Sequence, residues 1–344
     1  MLDLHRLQLL HHFAARGSIA ATADELGFSA SAVSQQLAAL EREAGVALIE
    51  RTARSATLTD LGGRLARHAA TVLEAVEAAE ADLAAHLDAP LGRVVIATAP
   101  TAAVALAPAL AAVRVEHPAL ELVVRQEGPE AALDQLRSRD VDLAVVDDWS
   151  TGPAAERPGL VSRRLLRDPL VLAVPVGHPL AELDRRLELA ATAEEPWICA
   201  PRGEPSREAF DGILRDHGVV VRTRWEFEGL ATIATLVGRG VGIAVLPRLA
   251  IAEHLRDRLV ERRLPEPRAR HLDAVVRPGS RGRPALEVTL DAMWAEVADE
   301  GRDGSRIDGV GASAAADGAP ARPVASHHER PTGATTDPGG TGVG

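Results

Sequence analysis

Between Ala23 and Glu41, small and apolar residues fall at helical spacing on both sides of a glycine. Val33, Leu37 and Leu40 share one helix face, Ala23 is small where a preceding helix must come close, and Gly27 stands where a sharp turn needs positive φ. Ser29 is placed to cap the second helix. The pattern predicts two short helices joined by a tight turn, a helix-turn-helix. The opposite face carries Ser31, Ser34, Gln35 and Gln36, short donors and acceptors suited to base edges and phosphates, and a glutamine can pair bidentately with adenine. Two ordinary helices of an all-α domain would satisfy the same spacing, so the rest of the chain has to decide between the two readings.

The segment that follows, Leu40-Glu-x-x-x-Gly-x-x-Leu48-x-x-Arg51, then Arg54 and Leu58-Thr-x-x-Gly62, suits a short β-wing running into a new helix. From Thr59 to about Leu87 there is no proline, no glycine after Gly63, and abundant Ala, Glu, Leu and Val, which predicts one long helix. Its apolar positions Leu65, Ala69, Val72, Val76, Ala79 and Leu83 alternate spacings of four and three, the seam of a two-helix coiled coil. A helix packed on its own domain would show a similar stripe. A helix-turn-helix needs a second copy to span two half-sites one turn apart, which favours dimerisation through Leu65, Val72, Val76 and Leu83.

Asp88-Ala-Pro-Leu-Gly92 reads as a hinge, and beyond it strands alternate with helices. Strands are expected over residues 93–98, 120–125 and 141–146, with helices over 101–117 and 129–139 between them. A second series follows from Leu160: strands over 160–166 and 170–175, around Trp197, around Phe227 and over 242–246, with helices over 205–217 and 230–238. A strand near 270–276 and a helix over 284–300 close the pattern. Alternation of this kind predicts parallel sheets flanked by helices and two lobes with a cleft between them.

Taken in order, these motifs resemble the LysR-type transcriptional regulators. The carriers are the opening Leu-x-x-Leu and helix from Leu4 to Ser18, then Ala32-Val-Ser-x-x-Leu-x-x-Leu-Glu41, the Gly45-x-x-Leu-x-x-Arg51 wing and Leu58-Thr-x-x-Gly62. Further along comes Leu236-Val-x-x-Gly-x-Gly-x-x-x-Leu-Pro247. Two positions depart from the pattern: Ile49 stands where phenylalanine is usual, and Ala30 where many members carry a polar residue able to reach DNA. The resemblance implies a winged helix-turn-helix head (residues 1–62), a linker helix for dimerisation (63–88) and a two-lobed α/β effector domain like periplasmic binding proteins (89–300). Lobe I would take residues 91–160 and 268–300, and lobe II 161–267. It also implies promoter DNA, a small effector, a second copy of the chain and RNA polymerase as partners.

Composition changes the picture in three places. The net charge of −11 looks wrong for a DNA binder, but residues 1–68 hold seven arginines against seven acidic residues, so the head is neutral and the remainder carries the negative charge. Lysine is absent, so basic contacts fall to arginines such as Arg42, Arg51 and Arg54; Arg51 is placed equally well to meet a phosphate or Glu41. The single cysteine, Cys199, excludes an intramolecular disulfide and any multi-cysteine metal site; it is read as a buried thiol, with redox sensing as the alternative. No membrane-length apolar run or signal peptide is visible, which leads to an expected cytoplasmic location.

The glycines of residues 236–247 invite a nucleotide-binding interpretation, which their order rejects: they end a helix and open a strand, whereas a phosphate loop does the reverse. Neither a nucleophile elbow nor a zinc-protease or P-loop motif is present, so no catalytic residue, metal or cofactor is expected. An enzyme or a cytoplasmic small-molecule binder using the same cleft is the alternative class. By the resemblance, the effector would meet Thr98, Ala99, Pro100 and Thr101 at the first strand-to-helix turn, then Asp147, Asp148, Arg202, Ser206, Phe227, Glu228 and Gly229. Each has a plainer role open to it: Thr101 as a helix cap, Arg202 as a solvated loop residue, Phe227 as core. The acidic pair argues against an anionic effector, while the helix terminus and Arg202 argue for one. After Gly301, Gly, Ala, Pro, Asp, Ser and Thr leave almost nothing to bury, and a disordered tail is expected; His327 and His328 within it are too few for a metal site.

Overall fold

A computed structural model describes residues 1–52, 55–86, 90–150, 155–182, 187–221 and 225–304. Arg54, the start of the hinge, His327, His328 and the tail beyond residue 304 lie outside the described residues.

The head is built from α1 (Leu4–Arg16), α2 (Ile19–Leu26) and α3 (Ala30–Ala44), followed by strands β1 (Ile49–Arg51) and β2 (Ala56–Leu58). Its helix boundaries are set locally. The side chains of Asp3, Ser18 and Ser29 accept from backbone N–H groups of the first turns of α1, α2 and α3, and Gly17, Gly27 and Gly45 end these helices in the left-handed conformation. Ala23, Val33, Leu37 and Leu40 are in the core, as the spacing predicts, together with Leu9, Leu10 and Phe13 of α1. The wing pairs antiparallel, Ile49 with Leu58 and Arg51 with Ala56.

Helix α4 (Asp60–Ala84) leaves the wing, capped by Thr59. Gly62 lies against the wing so closely that a Cβ there would overlap the Leu48 carbonyl oxygen. Of the predicted seam, Ala69 is buried inside the head, Leu65 is partly covered, and Val72 and Leu83 stand 43% and 72% exposed.

The remainder is a mixed, curled sheet with helices on its faces. Strands β3 (Gly92–Thr98), β4 (Leu120–Gln126) and β5 (Leu143–Asp148) alternate with α5 (Pro100–Glu116) and α6 (Pro129–Ser138), and these three strands run parallel. Next come β6 (Val161–Pro175), β7 (Ile198–Cys199), α7 (Pro205–Asp216), β8 (Trp225–Glu226), α8 (Leu230–Gly238), β9 (Ala244–Pro247), β10 (Leu259–Arg263), β11 (Ala269–Val276) and α9 (Pro284–Gly304). The strand order is β10-β6-β11-β5-β3-β4, with β9 also on β6.

The structure departs from the sequence pattern in several places. Strand β11 enters antiparallel between β5 and β6, so the sheet is not wholly parallel. The two strands expected over 160–175 are one fifteen-residue strand. It pairs with β11 through Pro169 and with β9 and β10 thereafter, so Pro169, which lacks a donor, falls where the strand changes partners. Strand β10 was not expected, and α9 runs on to Gly304. The glycine-rich turn does link a helix to a strand, α8 to β9, and Gly242 packs against the Pro196 carbonyl with no room for a Cβ.

Candidate DNA-binding face and inter-lobe cleft

Helix α3 turns Val33, Leu37 and Leu40 inward, so Ser31 and Gln35 project from the exposed side. Ser29 is spent on capping: its Oγ accepts from the Ala32 N–H at 3.2 Å. Ser34 Oγ accepts from Arg51 Nη1 at 2.6 Å, and Glu41 Oε1 accepts from the Leu48 and Ile49 amides at 2.9 and 3.0 Å, with Arg51 3.9 Å from its other oxygen. The wing is thereby pinned to α3 by both partners, and Arg51, still over a third exposed, keeps part of its guanidinium on the surface. Gln36 is placed differently from the sequence expectation: its Oε1 accepts from Arg6 Nε at 3.0 Å, and Arg6 also pairs with Glu43. Gln36 thus fastens α3 to α1, a partnership between residues thirty apart that no helical pattern discloses. Arg42 is exposed near the end of α3.

In the second part, a cavity of about 840 Å³ opens between the lobes. One wall is α6 with Leu133 and Arg137 and the end of β5 with Asp147, Asp148 and Trp149; the other is α7 with Glu208, Gly212 and Asp216. Among the expected effector contacts, only Asp147 and Asp148 line it. Thr98 is buried at the end of β3, Ala99 and Pro100 open α5, and Arg202, Glu228 and Gly229 are exposed. Ser206 is half-buried in the first turn of α7, while Phe227 stacks on Trp225 at 5.8 Å and packs against the α8 cluster.

Thr101 leads to a group that sequence reading missed. Its Oγ1 accepts from Arg270 Nη2 at 2.7 Å; Arg270, 1% exposed, also meets Asp168 at 2.9 Å and Asp147 at 3.5 Å, with its guanidinium 5.4 Å from the Trp149 ring centroid. The arginine joins β11 to α5, β5 and β6 at the floor between the lobes. Burial pushes the Asp168 carboxyl above its ordinary value despite the opposing pull of Arg270.

Charge in the cleft is unevenly matched. Arg157 pairs with Asp273 at 3.0 Å, Arg268 with Asp216 at 2.7 Å and Arg137 with Asp134 at 3.1 Å, so its arginines are already engaged. One oxygen of Asp148 accepts from the Ser150 amide at 2.9 Å, and the other is buried with no hydrogen-bond partner among the described residues. Burial would raise this carboxyl, but the Ser150 hydrogen bonds and the charges of Arg157 and Arg164 outweigh it and hold Asp148 below its ordinary value, hence ionised. Nearby His271 is lowered, first by burial and then by Arg164.

Cys199 is buried, and its sulfur accepts from Arg207 Nη1 at 3.2 Å; Arg207 also binds Glu226, Asp211 and the Ala200 carbonyl. Among the described residues there is no cluster of metal ligands, and no described helix is long and apolar enough to cross a membrane.

A neutral head with an exposed polar recognition helix, followed by a two-lobed α/β domain, defines a one-component regulator: DNA reader and ligand binder on one chain. Comparison with known proteins gives the family. Residues 4–63 match the bacterial regulatory helix-turn-helix model of the LysR family, and residues 88–298 match the LysR substrate-binding domain. The chain belongs to the LysR family of DNA-binding transcriptional regulators with an effector-binding domain. Relatives include the transcriptional dual regulator GltC of Bacillus subtilis, 28% identical over 81% of this chain and 92% of that protein. A probable hydrogen peroxide-inducible genes activator of Mycobacterium avium is 33% identical over 77% of this chain and 83% of that protein. In fold, the chain is similar to a full-length OxyR variant from Pseudomonas aeruginosa (TM-score 0.65, 19% identity, covering 85% of this chain and 95% of that one).

Proposed function

We propose that two copies of the chain pair along α4, set their α3 helices in successive major grooves of promoter DNA, and respond to a small effector held in the inter-lobe cleft. The observation that carries the DNA half is the exposed face of α3: Ser31 and Gln35 are presented by a helix whose start is capped and whose far side is core. Arg42 and Arg51 flank it as phosphate contacts, and Ser34 and Gln36 hold the helix in register through Arg51 and Arg6. The pairing rests on the bare stripe of α4, where Val72 and Leu83 remain exposed. Helix α5 adds a second apolar face, with Val104, Ala107, Ala111 and Val115 open to solvent, of the kind an assembled oligomer covers. The same reading places the protein in the cytoplasm with its promoter, makes polymerase contact a downstream step, and assigns no catalytic residue.

The test of the whole reading is to recover and sequence fragments of source genomic DNA bound by the purified protein. A few sites with an imperfect inverted repeat are expected; uniform recovery of all fragments would refute it. Gln35→Ala should lose about 1–3 kcal/mol of discrimination at one or two base positions while keeping non-specific affinity. Titrations against the selected site and its single-base variants check this, and equal losses on every sequence would mean that Gln35 reads no base.

The charge balance of the cleft favours an effector that donates hydrogen bonds or carries positive charge, since the lining arginines are engaged and one buried oxygen of Asp148 meets no donor among the described residues. Gly212 faces the cavity with open space at its Cβ position. Gly212→Trp should fill the cleft and abolish any effector-dependent change in the DNase I footprint, so that footprints with and without effector become the same.

A further inference from the structure

Helix α6 lines the cleft, and its carboxyl end, with the Arg139 that closes it, contacts α1 of the head and the linker helix α4. Its cleft face presents Leu133 and Arg137, one turn apart. Its other end meets the DNA head. The Arg137 carbonyl accepts from His11 Nε2 at 2.9 Å, and Arg16 Nη2 reaches Asp140 Oδ2 at 2.6 Å and Ser138 Oγ at 3.4 Å; both His11 and Arg16 belong to α1. The linker helix docks beside them. Glu77 of α4 pairs with Arg139 and, through 2.7 and 3.0 Å contacts, with Arg277, whose Nη1 donates in turn to the Leu136 and Val141 carbonyls around the end of α6. Gly279, just beyond β11, approaches α4 so closely that a Cβ would lie 2.5 Å from the Glu74 carbonyl oxygen.

The chemistry of this contact fits its geometry. A helix C-terminus exposes carbonyls and the negative end of the dipole, and here His11 and Arg277 supply donors to it. Arg139, which ends α6, has φ of 70°, the one non-glycine among the described residues in the left-handed region. An arginine held there is strained and persists where its surroundings over-determine it; the Glu77 ion pair is such a constraint.

We propose that the carboxyl end of α6, residues 137–142, is the docking surface for the DNA head of the same chain, and that α6 carries the state of the cleft to that head. A ligand pressing on Leu133 and Arg137 tilts or shifts α6, and the displacement arrives at His11, Arg16 and Glu77 as a change in the head's seating. The relay rests on the cleft being the effector site, but its test needs no effector.

Hydrogen exchange is measured on the full-length protein without ligand, with Leu133→Trp as an occupant built into the cleft. In the otherwise native chain, this substitution is expected to change exchange of α1 amides by about two- to fivefold, the scale of losing one or two exposed polar contacts. In an Arg16→Glu background the transmitted change should shrink, and in the charge-swapped Arg16→Glu/Asp140→Arg chain it should return. Where Leu133→Trp lowers the yield of folded protein, Leu133→Ala perturbs the same face by removing volume. Overturning results are exchange changes confined to the lobes, or changes in α1 that are equal with and without the Arg16–Asp140 pair. A cleft that binds no effector, with the exchange result still positive, would refute the cleft assignment and leave the α6 contact standing.

Discussion

Replacing Arg270 with methionine should destabilise the protein by about 3–5 kcal/mol, because it leaves Asp168 buried and Asp147 partly buried without their shared cation. The expected readout is a lower thermal midpoint and a denaturant midpoint shifted down at unchanged slope. The deficit also has a predictable dependence on pH. Asp168 already titrates above its ordinary 3.8, and removal of Arg270 raises it further. A carboxyl whose folded value exceeds its unfolded value makes the folded state bind the extra proton, so stability falls as pH rises from about 3.8 through the raised value and levels off beyond it. The variant should therefore lie closest to the native protein in acid and furthest from it at alkaline pH. A deficit independent of pH would show that packing, not the stranded carboxylate, dominates.

The second large effect is expected at Gly62. Alanine there would push its methyl into the Leu48 carbonyl, which is backbone and also accepts from the Thr59 amide at 2.9 Å, so it cannot swing aside. Overpacking of this kind costs about 1–3 kcal/mol, and its relief requires the wing to move away from α4. Because Glu41 holds the wing to the recognition helix, Gly62→Ala should weaken specific and non-specific DNA binding together, while ligand-binding properties of the effector domain persist. Gly63, one residue on with open space at its Cβ position, is the matched control: Gly63→Ala should bind DNA normally. Equal behaviour of the two variants would contradict the close approach as the reason for glycine at 62.

Glu77 adds an acid limit to the docking of α4. Burial would raise its carboxyl, but hydrogen bonds and charge from Arg277 and Arg139 prevail and hold it below 4.5. A lowered folded value means that its contribution is complete above about 4.5 and is lost as pH falls through the folded value, so loosening of α4 from the lobe belongs to that acidic window and not to neutral pH.

The head was legible because its determinants are local: a cap, a left-handed glycine and apolar residues one turn apart lie within a few positions of each other. What joins distant segments was not. Asp168 and Arg270 are separated by 102 residues, and neither stands in a motif. Gln36 lies on the polar face of α3, and nothing near it in the sequence discloses that Arg6 of α1 donates to its Oε1. The Asp168-Pro169 step broke the hydrophobic run and made β6 look like two strands, and the charges of Glu261, Arg262 and Arg263 hid β10. In the cleft, the place of Asp147 and Asp148 at the end of a strand marks them in the sequence as residues of a sheet edge, whereas the wall formed by α6 and α7 depends on how the lobes face one another.

The rung at Pro169 and Ala269 has a consequence for how such a protein can change. Between these two paired residues, with the Leu170 amide bonded to the Arg268 carbonyl at 2.8 Å, the chain departs from the first lobe and returns to it. Residues 170–268 therefore begin and end side by side, like a module spliced into a host at a single point. A segment with its ends so placed can be exchanged for its counterpart from a relative without rethreading the sheet, leaving the promoter-reading half of the molecule as it was while replacing one wall of the cleft.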